Sequence, residues 1–243
     1  MKFLIVFFYT LFSLKASAQK IVNLVFVGDK GVTENIKEAK FFIVVKDFGG
    51  KLQRLDYKMS GPIIKESNYL DSNMQILDGP YYEYALDGSL AVAGKYINDL
   101  KEYDWMSYND TGKVILIKTY LNNALIKTTD PDTVAKKEIL TVIKVIEKEA
   151  DFGKNNKAWK NFLVKNLNAE VGNQSVNGGT VRVGFIVDTR GKCIDIHVKK
   201  SIEFVLDEEV KRIIYLSPPW IPAEQAGKKV KAYRIQPITF VKP

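Results

Sequence analysis

His197 and Cys193 are the chain's only histidine and cysteine, and Asp195 lies between them. A histidine beside a carboxylate suits general acid–base work, and a thiol near both suits nucleophilic attack. Strict strand alternation places Cys193, Asp195 and His197 on one face, opposite Ile194, Ile196 and Val198. No further residue completes a site there, and the expected role of both is that of ordinary, half-buried strand residues. A zinc site needs a second histidine or cysteine that this chain does not have. Motifs for a serine-nucleophile elbow, a phosphate loop, a dinucleotide fold or a His-Glu-x-x-His helix are missing. Asp56, Glu66, Asp71, Asp78 and Glu83 are too dispersed to form a catalytic pair, and Asp207, Glu208 and Glu209 read as charges at a helix N-terminus. The expectation is a protein with no catalytic residue, metal or cofactor.

His197 belongs to a segment with clear element signals. Val181, Val183, Phe185 and Val187 alternate along one strand, Asp188-Thr189-Arg190-Gly191 turns the chain, and Ile194, Ile196 and Val198 return. Upstream, Ala158, Trp159, Phe162, Leu163 and Leu167 predict an amphipathic helix ending near Asn166–Asn168. Downstream, Leu206, Val210, Ile213 and Ile214 predict a second helix, stopped by Ser217-Pro218-Pro219. A last strand is expected over about Lys229–Val241. Pro237 inside it marks a sheet edge, since proline has no N–H for a ladder.

This order, with Gly179-Thr-Val-Arg-Val-Gly-Phe-Ile-Val-Asp188, Gly191, Ser201, Leu206-Asp-Glu-Glu209, Pro219-Trp-Ile-Pro-Ala223, Gly227 and Pro237-Ile-Thr-Phe240, resembles the TonB C-terminal domain family over about residues 150–243. The resemblance implies an α+β fold of two helices on a three-stranded antiparallel sheet. In the transducers of that family it implies contact with outer-membrane receptors by strand addition at an edge. The expected edge here is Val230, Lys231, Ala232, Tyr233, Arg234 and Ile235. A transducer also needs a membrane anchor and a long proline-rich spacer, and the 8 prolines form no such run.

The first half carries a repeat at an offset of 24 residues: Tyr84 and Tyr108, Gly88 and Gly112, Tyr96 and Tyr120, Asn98 and Asn122. Each unit reads as strand, glycine turn, strand: Tyr81–Leu86 then Leu90–Ile97, and Trp105–Asn109 then Val114–Tyr120. A fainter copy runs through Phe41–Tyr57, with Gly49-Gly50 at its turn. Over about residues 45–125 the pattern resembles variant MORN repeats of exported bacterial proteins and of the YwqK-like antitoxin family. That resemblance implies β-hairpins laid side by side, and an antitoxin-like or enzymatic role for the repeats is one alternative it raises. Tyr82, Tyr84, Tyr96, Trp105 and Tyr108 would form one aromatic face, serving either a ligand or, the preferred reading, the repeat's own packing.

The domain plan is a signal peptide over 1–18, a hairpin-repeat domain over 19–130, a linker or leading strand over 131–150 and the TonB-like domain over 151–243. Met1-Lys2, the apolar run Phe3–Leu14 and Ala16-Ser-Ala18 have the layout of a cleavable export signal. The run is shorter than the ~20 residues a membrane-crossing helix needs. Periplasmic location is expected, with inner-membrane anchoring by an uncleaved N-terminus as the alternative. Lys and Arg total 36 against 28 Asp and Glu, a net charge of +8 spread along the chain. No dense basic block is interleaved with aromatics, so nucleic acid is not an expected partner. The expected partner is a cell-envelope protein, an outer-membrane TonB-dependent receptor among the candidates.

Overall fold

The computed structural model describes residues 20–132, 148–153 and 157–241. The predicted export signal lies outside these residues, as does most of the linker or leading strand expected over 131–150.

Ten strands form one antiparallel sheet: β1 (Lys20–Gly28), β2 (Gly31–Val32), β3 (Phe41–Asp47), β4 (Leu52–Lys58), β5 (Ile63–Tyr69), β6 (Gly79–Tyr84), β7 (Leu90–Ile97), β8 (Leu100–Tyr108), β9 (Val114–Leu121) and β10 (Ala124–Thr129). From β3 to β10 the strands follow in chain order, and β1 pairs with β3 while β2 lies outside β1. The 24-residue offset is visible bond by bond. Asn98-Asp99 and Asn122-Asn123 make turns with φ between 48° and 66°, the positive values that two-residue hairpin loops demand and Asn and Asp tolerate. The carboxylate of Asp99 then accepts from Leu77 N at 2.7 Å, and the amide oxygen of Asn123 accepts from Lys101 N at 2.6 Å. Each turn is thereby fastened to the strand entry one hairpin back.

The second half contains α1 (Ala158–Asn166), α2 (Ala169–Gln174), β11 (Gly179–Val187), β12 (Cys193–Lys200), α3 (Phe204–Leu216), β13 (Ala223–Gln225), β14 (Lys228–Val230) and β15 (Ala232–Phe240). The sheet order is β12-β11-β15, and β13 and β14 form a separate hairpin. The expected two helices are three here. Leu167 ends the first and Asn168 caps the next, its side chain accepting from Glu170 N, a use of Asn at a helix start that spacing of apolar residues does not reveal.

Val181, Val183, Phe185 and Val187 of β11 and Leu206, Val210, Ile213 and Ile214 of α3 are all buried, each apolar side chain contributing about 1.5–3 kcal/mol. These residues share one continuous core with Val44, Leu55, Tyr57, Ile63, Tyr84 and Leu90 of the large sheet. The two halves named as separate domains by sequence thus bury a common interior.

Candidate partner-binding edge

The seam between the halves decides which sheet edges stay open. At its centre the fully buried Tyr57 ring lies 5.4 Å from Phe42 and 5.3 Å from Phe204, and its hydroxyl donates to Asp207 at 3.0 Å. Asp207 also accepts from the Ser201 hydroxyl, whose oxygen takes Ile63 N–H at 3.0 Å. Burial, partly offset by the Ser201 bond and by Lys211, pushes Asp207 up to about 7. Beside it, Glu208 pairs with both Lys46 and Lys211. Burial would raise Glu208, but the two lysines outweigh it and hold the group at about 2. Asp207, Glu208 and Glu209 were expected as charges at a helix N-terminus, and they do stand near the start of α3. Beyond that role, Asp207 and Glu208 reach into the large sheet, and the buried Glu209 binds Arg212 and Asn168 N. Sequence spacing gave no sign of this, since their partners are more than 100 residues away for Tyr57 and Lys46.

The same sheet closes β12. Tyr84 Oη donates to Val198 O at 3.1 Å, Ser201 N donates to Gly88 O at 2.9 Å, and Ser89 bridges Lys200. On the opposite side, β15 pairs with β11 from Gly179↔Phe240 to Val187↔Ala232. Among the described residues no strand pairs with its other edge.

Of the expected edge residues, Val230 ends β14 opposite Ala223 and Lys231 falls between strands, so neither is in the edge strand. The turn at Ala226-Gly227, both at positive φ, folds this stretch into a hairpin of its own. Ala232, Tyr233, Arg234 and Ile235 do open β15. Ala232 is buried, Tyr233 is 46% exposed and Ile235 36%, and Arg234 lies 3.5 Å from Glu149.

Tyr233 crosses over β11 to β12. Its hydroxyl sits 3.1 Å from His197 Nε2, and the His197 ring stacks between Tyr233 and Tyr82 of the large sheet. Gly184 makes the crossing possible, because a Cβ there would meet Tyr233 Oη at 2.0 Å. Burial lowers His197 to about 4 and leaves it neutral. Its other nitrogen, Nδ1, is 2.8 Å from Asp195 O. The expected common face for His197 and Cys193 is not found. A bulge, with Asp195 at φ 53°, shifts the register: Cys193 pairs with Val187 on the α3 side and His197 with Gly184 on the other. Burial raises the Cys193 thiol, which keeps it protonated and unreactive.

The five repeat aromatics also divide. Tyr82, Tyr84 and Tyr108 face the second half, Tyr84 bonded to Val198 and Tyr108 beneath Lys199. Tyr96 and Trp105 pack on the opposite face with Tyr81 and Tyr120. Trp105 lies flat against Gly94, whose Cβ would fall 2.2 Å from the indole.

A module whose three-stranded sheet keeps one edge unpaired among the described residues has a family counterpart. Residues 173–241 match the family of the Gram-negative bacterial TonB protein C-terminal. That stretch takes in the last residues of α2, together with α3 and β11 to β15, and leaves out α1 and the ten-stranded sheet. Neither a curated protein nor a solved structure matches the chain. The match points to the cell envelope, in transport or in protein interaction. Among the described residues no helix is long and apolar enough to cross a membrane, and no group of three or more His, Cys, Asp or Glu is placed to hold a metal.

Proposed function

We propose that this is an exported envelope protein that captures a protein partner by strand addition to β15, and that it works by binding rather than by catalysis. The observation carrying this reading is the unequal fate of the two sheet edges: the large sheet closes β12 and leaves β15 unpaired on its outer side. An extended segment laid along β15 would gain main-chain hydrogen bonds, with side chains such as Tyr233 and Ile235 supplying selectivity. The hairpin repeats, MORN-like in their residue pattern, serve on this account as a scaffold that holds the module.

Photocrosslinking in the native envelope tests it. A photoreactive residue at Arg234 should trap an envelope protein, with an outer-membrane receptor as the proposed class. Proline placed at Tyr233, Arg234 and Ile235 in turn should abolish trapping from a neighbouring position in whichever variants keep the fold. Trapping that survives in every folded proline variant would rule out strand addition. The family match also favours a second reading, a component of energy-coupled uptake held at the inner membrane. N-terminal sequencing separates the two, since a start at Gln19 removes any anchor in residues 3–14.

A further inference from the structure

A concavity of ≈ 410 Å³ lies where the glycine turn at Gly112 meets the outer face of the three-stranded sheet. Three cations reach it: Arg182 of β11, and Lys199 and Lys200 of β12. Lys200 is already committed, donating to the carboxylate and carbonyl oxygens of Asp87 at 2.7 Å each. Arg182 and Lys199 make no ion pair among the described residues, and the Lys199 ammonium rests 3.5 Å from the centroid of the Tyr108 ring. Asp110 is the one carboxylate among the lining residues.

The backbone builds this arrangement. Arg182 pairs with Lys200 and Val183 with Val198, so Lys199 is the extra residue of a bulge. A bulge re-aims the side chain it carries, and here it turns Lys199 towards Arg182. Gathering like charges in one recess is unfavourable unless an anion neutralises them. Burial, with the charge of Arg182 added, holds Lys199 down to about 8.

We propose that this recess binds a phosphate group, with Arg182 and Lys199 as its cations. The donors come from separate walls: the planar fork of Arg182, the ammonium of Lys199, and the Thr180 hydroxyl when Thr239 donates to it. A tetrahedral phosphate directs oxygens to several walls at once, and the volume leaves room for the ester that carries it. Hairpin turn and module build the recess together, so neither half has it alone.

Titration calorimetry on the full chain tests the proposal with inorganic phosphate, acetate, and vesicles of phosphatidylglycerol or phosphatidylcholine. Saturable binding of inorganic phosphate or of phosphatidylglycerol vesicles supports the site, and which of them binds identifies a free or a lipid source. Arg182→Gln and Lys199→Gln should each weaken that binding at least tenfold, while Lys229→Gln, exposed on β14, should not. Arg182 is exposed, so its variant leaves the core untouched, and an unchanged melting midpoint verifies this. The proposal is overturned if neither phosphate source binds, if all three variants bind like the parent, or if acetate binds as tightly as phosphate.

Discussion

β12 and β15 bound the same three-stranded sheet, yet β12 is closed by hydrogen bonds from the large sheet around Val198–Ser201, while β15 has only β11 beside it among the described residues. The closure does not extend the ladder. A phenol donates to Val198 O, a turn carbonyl accepts from Ser201 N, and one isolated bridge joins Ser89 to Lys200. β15 instead carries the devices that keep an unpaired edge from aggregating, a proline within the strand and a charged Arg234. One edge of the three-stranded sheet is thus consumed by the fold, and the other is left in reserve.

The largest effect should come from breaking the closed side at its centre. Tyr57→Ala removes a fully buried ring and one of the donors to Asp207, costing about 3–5 kcal/mol. Because the core is shared, denaturation followed at Trp105 and at Trp220 should report the same loss. A change confined to one tryptophan would separate the halves.

Next comes the buried acid. Asp207 is raised to about 7, so its contribution to stability is complete below its ordinary value near 3.8 and is lost as pH rises through about 7. Asp207→Asn should remove that dependence, a difference on the order of a few kcal/mol between acid and alkaline pH. Denaturant midpoints of parent and variant across pH 4–8 measure it. Tyr84→Phe deletes only the bond to Val198 O and should cost about 1–2 kcal/mol, with faster amide exchange around Val198 as its local sign.

The smallest effect sits where the edges communicate. His197 is lowered to about 4, so its contribution is present above about 6.5 and fades as pH falls through about 4. His197→Gln should blunt that acid sensitivity and loosen Tyr233, seen as a shift in the Tyr233 ring resonances.

The elements that sequence made legible are those whose signals are local. The turn at Gly191 and the helix over Leu206–Ile214 stand where alternation and proline stops placed them. The period of 24 survives in detail because Asn98 and Asn122 need the same positive φ. What stayed hidden is long-range or depends on a bulge. One extra residue at Asp195 separates His197 from Cys193, and another at Lys199 creates the basic recess. Nothing in the helical pattern distinguishes Asp207 from a solvated cap, since Tyr57 lies 150 residues away in sequence. The aromatics look like one face only if Trp105 and Tyr108 share a side, and their odd spacing in β8 puts them on opposite ones.

Hydrogen exchange on the free protein measures the central claim most directly. Alternate amides of β15, those pointing away from β11, should exchange at rates near those of exposed loops, while Ser201 and the inward amides of β15 stay protected. Protection of every β15 amide to the level of β11 would show that the edge is already occupied, and would contradict the account.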